Sequence, residues 1–148
     1  MTIARLVNAG DLDALLALFA DSDVSKSAEP ERARIIWAQT LAREGVSIFV
    51  SDENSRIVST CMLITTPNLL RGGRQFGIVE NVATHPGYQG RGHGRAVIAA
   101  ALDEAWKQDC YQVLMQSGRA DPRVHQFYKA CGFVPGLRIA YCARRPAS

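Results

Sequence analysis

Residues 89–95 read QGRGHGR, three glycines and two arginines set between two strongly patterned segments. Before them, FGIVENVAT has the composition of a strand. After them, Val97, Ile98, Ala101, Leu102, Ala105 and Trp106 recur at helical spacing. Glycine weakens both kinds of element. A glycine cluster at a strand-to-helix junction therefore predicts backbone that something must approach closely, and the arginines predict that this something is anionic. N–H groups at a helix start form a donor surface for an anion, and the helix dipole adds to it. Side chains at Gly90, Gly92 and Gly94 would hold a phosphate away.

The remaining pattern predicts one α/β domain over residues 1–148. TIARLV reads as a strand. Asp11 is placed to cap a helix carrying Leu12, Leu15, Leu16 and Phe19. Pro30 opens a second helix with Ile35, Ile36 and Leu41 as its stripe and Gly45 as its stop. VSIFVS and RIVSTCMLIT, joined by DENS, form a hairpin, followed by the polar loop PNLLRGGRQ. YQVLMQS is a strand, Asp121-Pro122 opens a helix that Gly132 ends, and LRIAYCA is a last strand. The order β-α-α-β-β-β-α-β-α-β implies a mixed sheet with helices on both faces.

Composition excludes several classes. The net charge of +3 on 148 residues is no nucleic-acid footprint, and there is no aromatic interleaving or long basic stripe. No apolar run approaches the roughly 20 residues of a membrane helix. MTIARLVNAGDLDALL lacks the pattern of a signal peptide, so a cytoplasmic location is expected. Cys61, Cys110, Cys131 and Cys142 form no CxxC pair, and no histidine pair has zinc-ligand spacing. They read as small, reduced, mostly buried side chains, and no metal is expected.

Among phosphate loops, the Walker ending Gly-Lys-Ser/Thr is absent, and the dinucleotide fingerprint does not match the spacing of Gly90, Gly92 and Gly94. Gln89, Gly92 and Gly94 fit Gln/Arg-x-x-Gly-x-Gly/Ala. With VHQFYKACGF further on, a Tyr-bearing helix before a Gly-Phe turn, the chain resembles the GNAT superfamily of N-acetyltransferases. Within it, the stretches ENVATHPGYQGRGHG, DCYQVLMQSG and HQFYKACGF are most similar to glucosamine-6-phosphate N-acetyltransferases. Two departures stand out. That family has two adjacent acids where this chain has Glu80-Asn81, and an Asp where it has Gln116-Ser117.

The resemblance implies acetyl-CoA as cosubstrate and transfer to a primary amine of a small molecule, by direct attack in a ternary complex. It implies that the fourth and fifth strands splay, and that the freed backbone at Val82 and Ala83 pairs with the pantetheine arm. The Val82 N–H would sit near the acetyl oxygen. Gln89, Gly90, Arg91, Gly92, His93, Gly94 and Arg95 would hold the pyrophosphate. For Arg91 and Arg95 a solvated position is the alternative, and His93 is expected to face water. Tyr128 falls at the position of the general acid; an aromatic merely packed on its helix is the other reading. Glu80 alternates with Phe76, Ile78 and Val82, which puts all four on one strand face. It is either the general base or the partner of an arginine in the 71–74 loop. His125 and water are the other base candidates. A silent acetyl-CoA-binding sensor and a protein or peptide acetyltransferase are the competing functions. Leu137, Ile139 and Tyr141 share one face of the last strand, and exposed edges invite pairing. Together with the dimeric habit of the relatives it resembles, this predicts a homodimer.

Overall fold

A computed structural model describes residues 2–147. Its strands β1 (Ala4–Leu6), β2 (Val46–Glu53), β3 (Arg56–Thr66), β4 (Gln75–Thr84) and β5 (Cys110–Leu114) form one five-stranded sheet in chain order. The first four are antiparallel to their neighbours, while β5 runs parallel to β4 and is reached by a helical crossover. The helices are α1 (Leu12–Asp21), α2 (Pro30–Ala42), α3 (His93–Lys107) and α4 (Pro122–Ala130). The chain divides into two compact units, Met1–Met115 and Gln116–Ser148. Among the described residues, no helix is long and apolar enough to cross a membrane.

Strand alternation sorts the first unit into two layers. Ile48, Val50 and Met62 point to one face, where they meet Leu15 and Leu18 of α1 and Trp37 of α2. Ser51 and Cys61 point to the other, where Cys61 Sγ donates to Val97 O and Ser51 Oγ meets His93 of α3. The β2–β3 hairpin closes through Asn54 and Ser55, whose φ values of 53° and 61° make the left-handed pair that suits strand twist. In the second unit, Asp121 caps α4 by accepting from Arg123 N, and Pro122 occupies the first turn.

Several expectations are corrected. Asp11 does not cap α1. Asn8 caps the preceding 3-10 turn by accepting from Gly10 N, while Asp11 accepts from Asn8 N and from Arg5. The buried face of α2 is Ala33 and Trp37, because the Trp37 indole donates to Ala9 O at 3.0 Å and fixes the helix rotation. Ile35, Ile36 and Leu41 are exposed. Gly45 does not end α2, which stops at Ala42; it starts the turn into β2, where a Cβ would lie 2.4 Å from Thr65 O. Cys61 and Cys110 are buried, and desolvation pushes the Cys61 thiol up to about 12, but Cys142 is exposed and Cys131 half-buried. The last strand does not form. A strand exists only where its N–H and C=O groups find a ladder. Among the described residues, segment 137–143 has none, and its Leu137, Ile139 and Tyr141 remain 77–87% exposed.

Arg5 ties β1 to both its neighbours, donating to Asp52 on β2 and to Asp11. The hydrogen bond from Arg5 holds the Asp11 carboxyl below the ordinary carboxylate range. A carboxyl depressed by folding stabilises fully above its unfolded value, near 3.9, and ceases to do so as pH falls through the folded value. Asp11→Asn is therefore expected to cost about 1–3 kcal/mol at pH 7, with the gap to the unmodified protein narrowing below about pH 4. Urea unfolding at stepped pH measures this, and a gap constant down to pH 3 would contradict it.

Candidate active site

The register of β3 against β4 slips once. Thr60 pairs with Ala83, but Met62 pairs with Glu80, so Asn81 and Val82 together oppose Cys61. Asn81 takes a φ of 52°, the left-handed value a bulge needs and asparagine tolerates. The extra residue reverses the alternation. Glu80 keeps the face of Phe76 and Ile78, but Val82 moves to the opposite face, which corrects the expectation that the four point together. Glu80 is exposed. Among the described residues it has no ion pair, because the loop arginines are engaged elsewhere: Arg74 with Asp109 at 2.9 Å and Arg71 over the Tyr111 ring.

On its other edge, β4 loses its neighbour. Among the described residues, the β4–β5 ladder ends at Ile78 and Leu114, whereas β4 continues to Thr84. Pairing with β5 therefore stops six residues before β4 ends. His85 N donates across to Val58 O. Backbone direction alternates along a strand, so the Ala83 N–H also points toward β3, and that of Val82 points away from it. Ala83 O accepts from Ser59 Oγ. Of the two expected backbone positions, Val82 has the free orientation and Ala83 does not.

Beyond β4, His85 and a 3-10 turn (Pro86–Tyr88) lead into the glycine loop. Gly90 and Gly92 have φ values of 78° and 90°, which side-chain-bearing residues rarely adopt. Gly92 is the N-cap of α3 and supplies no side-chain cap, so the first N–H groups of the helix have no intrahelical acceptor. An anion is the natural complement of such an end. Gln89 and Arg95 are exposed, and Gly94 is buried.

His93 overturns its expectation. It is 4% exposed, not facing water, and its ring spans two residues of β2: Nε2 donates to Glu53 Oε2 at 2.6 Å, and Nδ1 lies 2.8 Å from Ser51 Oγ. Its side chain is thus turned from any loop ligand, leaving only its backbone N–H. Arg91 also donates to Glu53, at 2.9 Å, and lies over the Tyr88 ring. Tyr88 in turn packs edge-on to His85 and His93. The hydrogen bond from His93, with Arg91 beside it, holds the Glu53 carboxyl below its ordinary range. Glu53 and Tyr88 drew no attention in the sequence. The one signal that points to Glu53 is strand period, which puts Ser51 and Glu53 on the same face of β2.

In the second unit, Tyr128 stands on α4 with the exposed His125 one turn before it. Gly132, at φ 100°, turns the chain: Phe133 N donates to Tyr128 O and Gly132 N to Lys129 O, the paired bonds of a Schellman end. Phe133 then returns edge-on to the Tyr128 ring at 6.2 Å, and Phe127 packs on it at 5.1 Å. The Gly-Phe turn is thus a device that steadies the tyrosine ring.

The sequence profile of the acetyltransferase (GNAT) family matches residues 12–133, spanning both units. The chain belongs to this family. It is accordingly an acetyl-CoA-dependent acyltransferase. It is similar to the glucosamine 6-phosphate N-acetyltransferase of Trypanosoma brucei brucei, 28% identical over 130 residues that cover 87% of this chain and 86% of the other. It is also similar to the aminoglycoside N(6')-acetyltransferase type 1 of Stenotrophomonas maltophilia, 36% identical over 67 residues, 44% of this chain and 42% of the other. Among solved structures, a protein of Agrobacterium tumefaciens str. C58 assigned as an acetyltransferase superposes with a TM-score of 0.86 at 37% identity, covering 96% and 99% of the two chains.

Gly132→Ala should lower stability by about 1–2 kcal/mol, the cost of a left-handed alanine. Gly132→Asn should cost less, since asparagine visits that region. Thermal unfolding of the two variants ranks them, and equal losses would mean that backbone handedness is not what the turn requires.

Proposed function

We propose that the chain, as one domain over residues 1–148, transfers the acetyl group of acetyl-CoA to a primary amine of a small molecule by direct attack. The observation that carries this reading is the end of the β4–β5 ladder at Ile78, on a strand that leads into the uncapped start of α3. Free strand edge suits an amide-bearing arm, and a helix start suits a pyrophosphate. The relatives named for amino sugars make amino sugars, with and without phosphate, the first acceptors to assay.

Acetyl transfer requires a neutral amine, a polarised carbonyl and stabilisation of the departing thiolate. The outward Val82 N–H donates to the acetyl oxygen as charge develops there. The backbone N–H groups of Gly90, Arg91, Gly92, His93 and Gly94 bind the phosphates, with Gln89 and Arg95 at the rim. Arg91 adds its side chain only by exchanging Glu53 for a phosphate. Glu80, exposed and without an ion pair among the described residues, accepts the amine proton, directly or through water. Tyr128 donates a hydrogen bond to the leaving sulfur. A tyrosine of pKa about 10 facing a thiol of about 8.5 makes full transfer uphill by roughly 2 kcal/mol, so the hydrogen bond acts first and the proton follows late.

Two copies are proposed to associate through the exposed Leu137–Tyr141 segment, which forms no ladder among the described residues. Light scattering at micromolar concentration should give twice the 16.2 kDa chain mass; the monomer mass would sink the idea.

Gly92→Asp places a charge at the phosphates. Unit charges about 4 Å apart repel by roughly 4 kcal/mol at an effective dielectric of 20. Acetyl-CoA affinity should fall by about two to three powers of ten relative to Gly92→Ala, which controls for the backbone strain at this position. Tyr128→Phe and Glu80→Gln should each leave affinity within a few-fold and lower kcat by about 10²–10⁴. Calorimetry beside steady-state rates separates the roles. Loss of binding with kcat intact in Tyr128→Phe would make the tyrosine a cosubstrate contact, and full activity of Glu80→Gln would pass the base role to His125 or water.

A further inference from the structure

The strongest feature outside the expected machinery is the cluster of Ser51, Glu53, Arg91 and His93. A Ser-His-Glu row has the look of a hydrolytic triad, but Ser51 is fully buried, its Oγ held between His93 Nδ1 at 2.8 Å and Ile3 O at 3.2 Å, so it reaches no substrate. What the cluster does instead follows from where its ends lie. Glu53 is the last residue of β2, fixed by pairing with Arg56 and by the tight Asn54-Ser55 turn. Arg91 and His93 stand on either side of Gly92, the left-handed residue at the start of α3. One carboxylate therefore holds the loop on both flanks of its left-handed N-cap glycine. Thr2 Oγ1 adds a third tie by donating to Arg91 O at 3.1 Å.

We propose that Glu53 is a positioning residue for cosubstrate binding: it fixes the glycine loop in the shape that aims its N–H groups at the pyrophosphate, and touches no substrate itself. This rests on the acetyl-transfer reading of the same loop. The physical gain is preorganisation. A loop already ordered by two hydrogen-bonded side chains loses less conformational freedom on binding.

The sign of the effect separates this role from simple electrostatics. Glu53 is an anion beside an anion site, so by charge alone its removal would tighten CoA binding. Positioning requires the opposite. Calorimetric titration of CoA into Glu53→Ala should give a Kd raised about tenfold, and steady-state assays a KM for acetyl-CoA raised alike with kcat at saturation within about twofold. Glu53→Gln keeps an acceptor oxygen for one of the two donors and should recover at least about threefold of the lost affinity. Glu53 is half-buried at a strand end, and the melting temperatures of both variants confirm that the fold persists. If Glu53→Ala binds CoA as tightly as the unmodified protein or more tightly, or if Glu53→Gln recovers nothing, the positioning role is overturned while the acetyltransferase reading stands. If the unmodified protein takes up no CoA, both fall together.

Discussion

A β-strand normally has both its edges used or covered, and β4 gives one up after Ile78. The parallel ladder with β5 stops there, yet β4 keeps its antiparallel ladder with β3 to Thr84. That half-paired stretch leaves backbone polar groups without a partner strand, and such groups call for a hydrogen-bonding complement. The rest of the first unit is arranged around it. β3 anchors the inner edge, α1 and α3 cover its two faces, and the chain passes from its end through the short Pro86–Tyr88 turn into the loop. The bulge at Asn81 sits within this stretch and decides which backbone groups face outward.

The fold was largely legible because the signals were local. Apolar spacing located α1 and α3, and Pro30 and Asp121-Pro122 marked helix starts that the structure keeps. What failed was contact between distant segments. The rotation of α2 depends on a bond between Trp37 and Ala9, which no periodicity encodes. The last segment carried a strand's alternation, but a strand needs a partner, and its residues say nothing of whether one exists.

The site divides in the same way. Gly90 and Gly92 announced their backbone conformation, since few other residues accept it. Gly132 announced the turn that brings Phe133 onto Tyr128. By contrast, Glu80 and Val82 were assigned one face by counting in twos, and a single left-handed asparagine undid the count. His93 read as a loop residue facing water because its partners, Ser51 and Glu53, lie about forty positions earlier. A buried imidazole with both nitrogens engaged is visible only once the sheet brings β2 beside the start of α3.

The bond from Thr2 to Arg91 has a practical side. The second residue of the chain sits against the backbone of the glycine loop, so the amino end is not a neutral place to attach anything. An affinity tag, a cloning scar or a fused reporter there would begin one residue from a contact that shapes the cosubstrate loop. At the other end of the chain, residues 143–147 are exposed and lie beyond the stretch shared with the family, and a handle there attaches to neither residue of that contact.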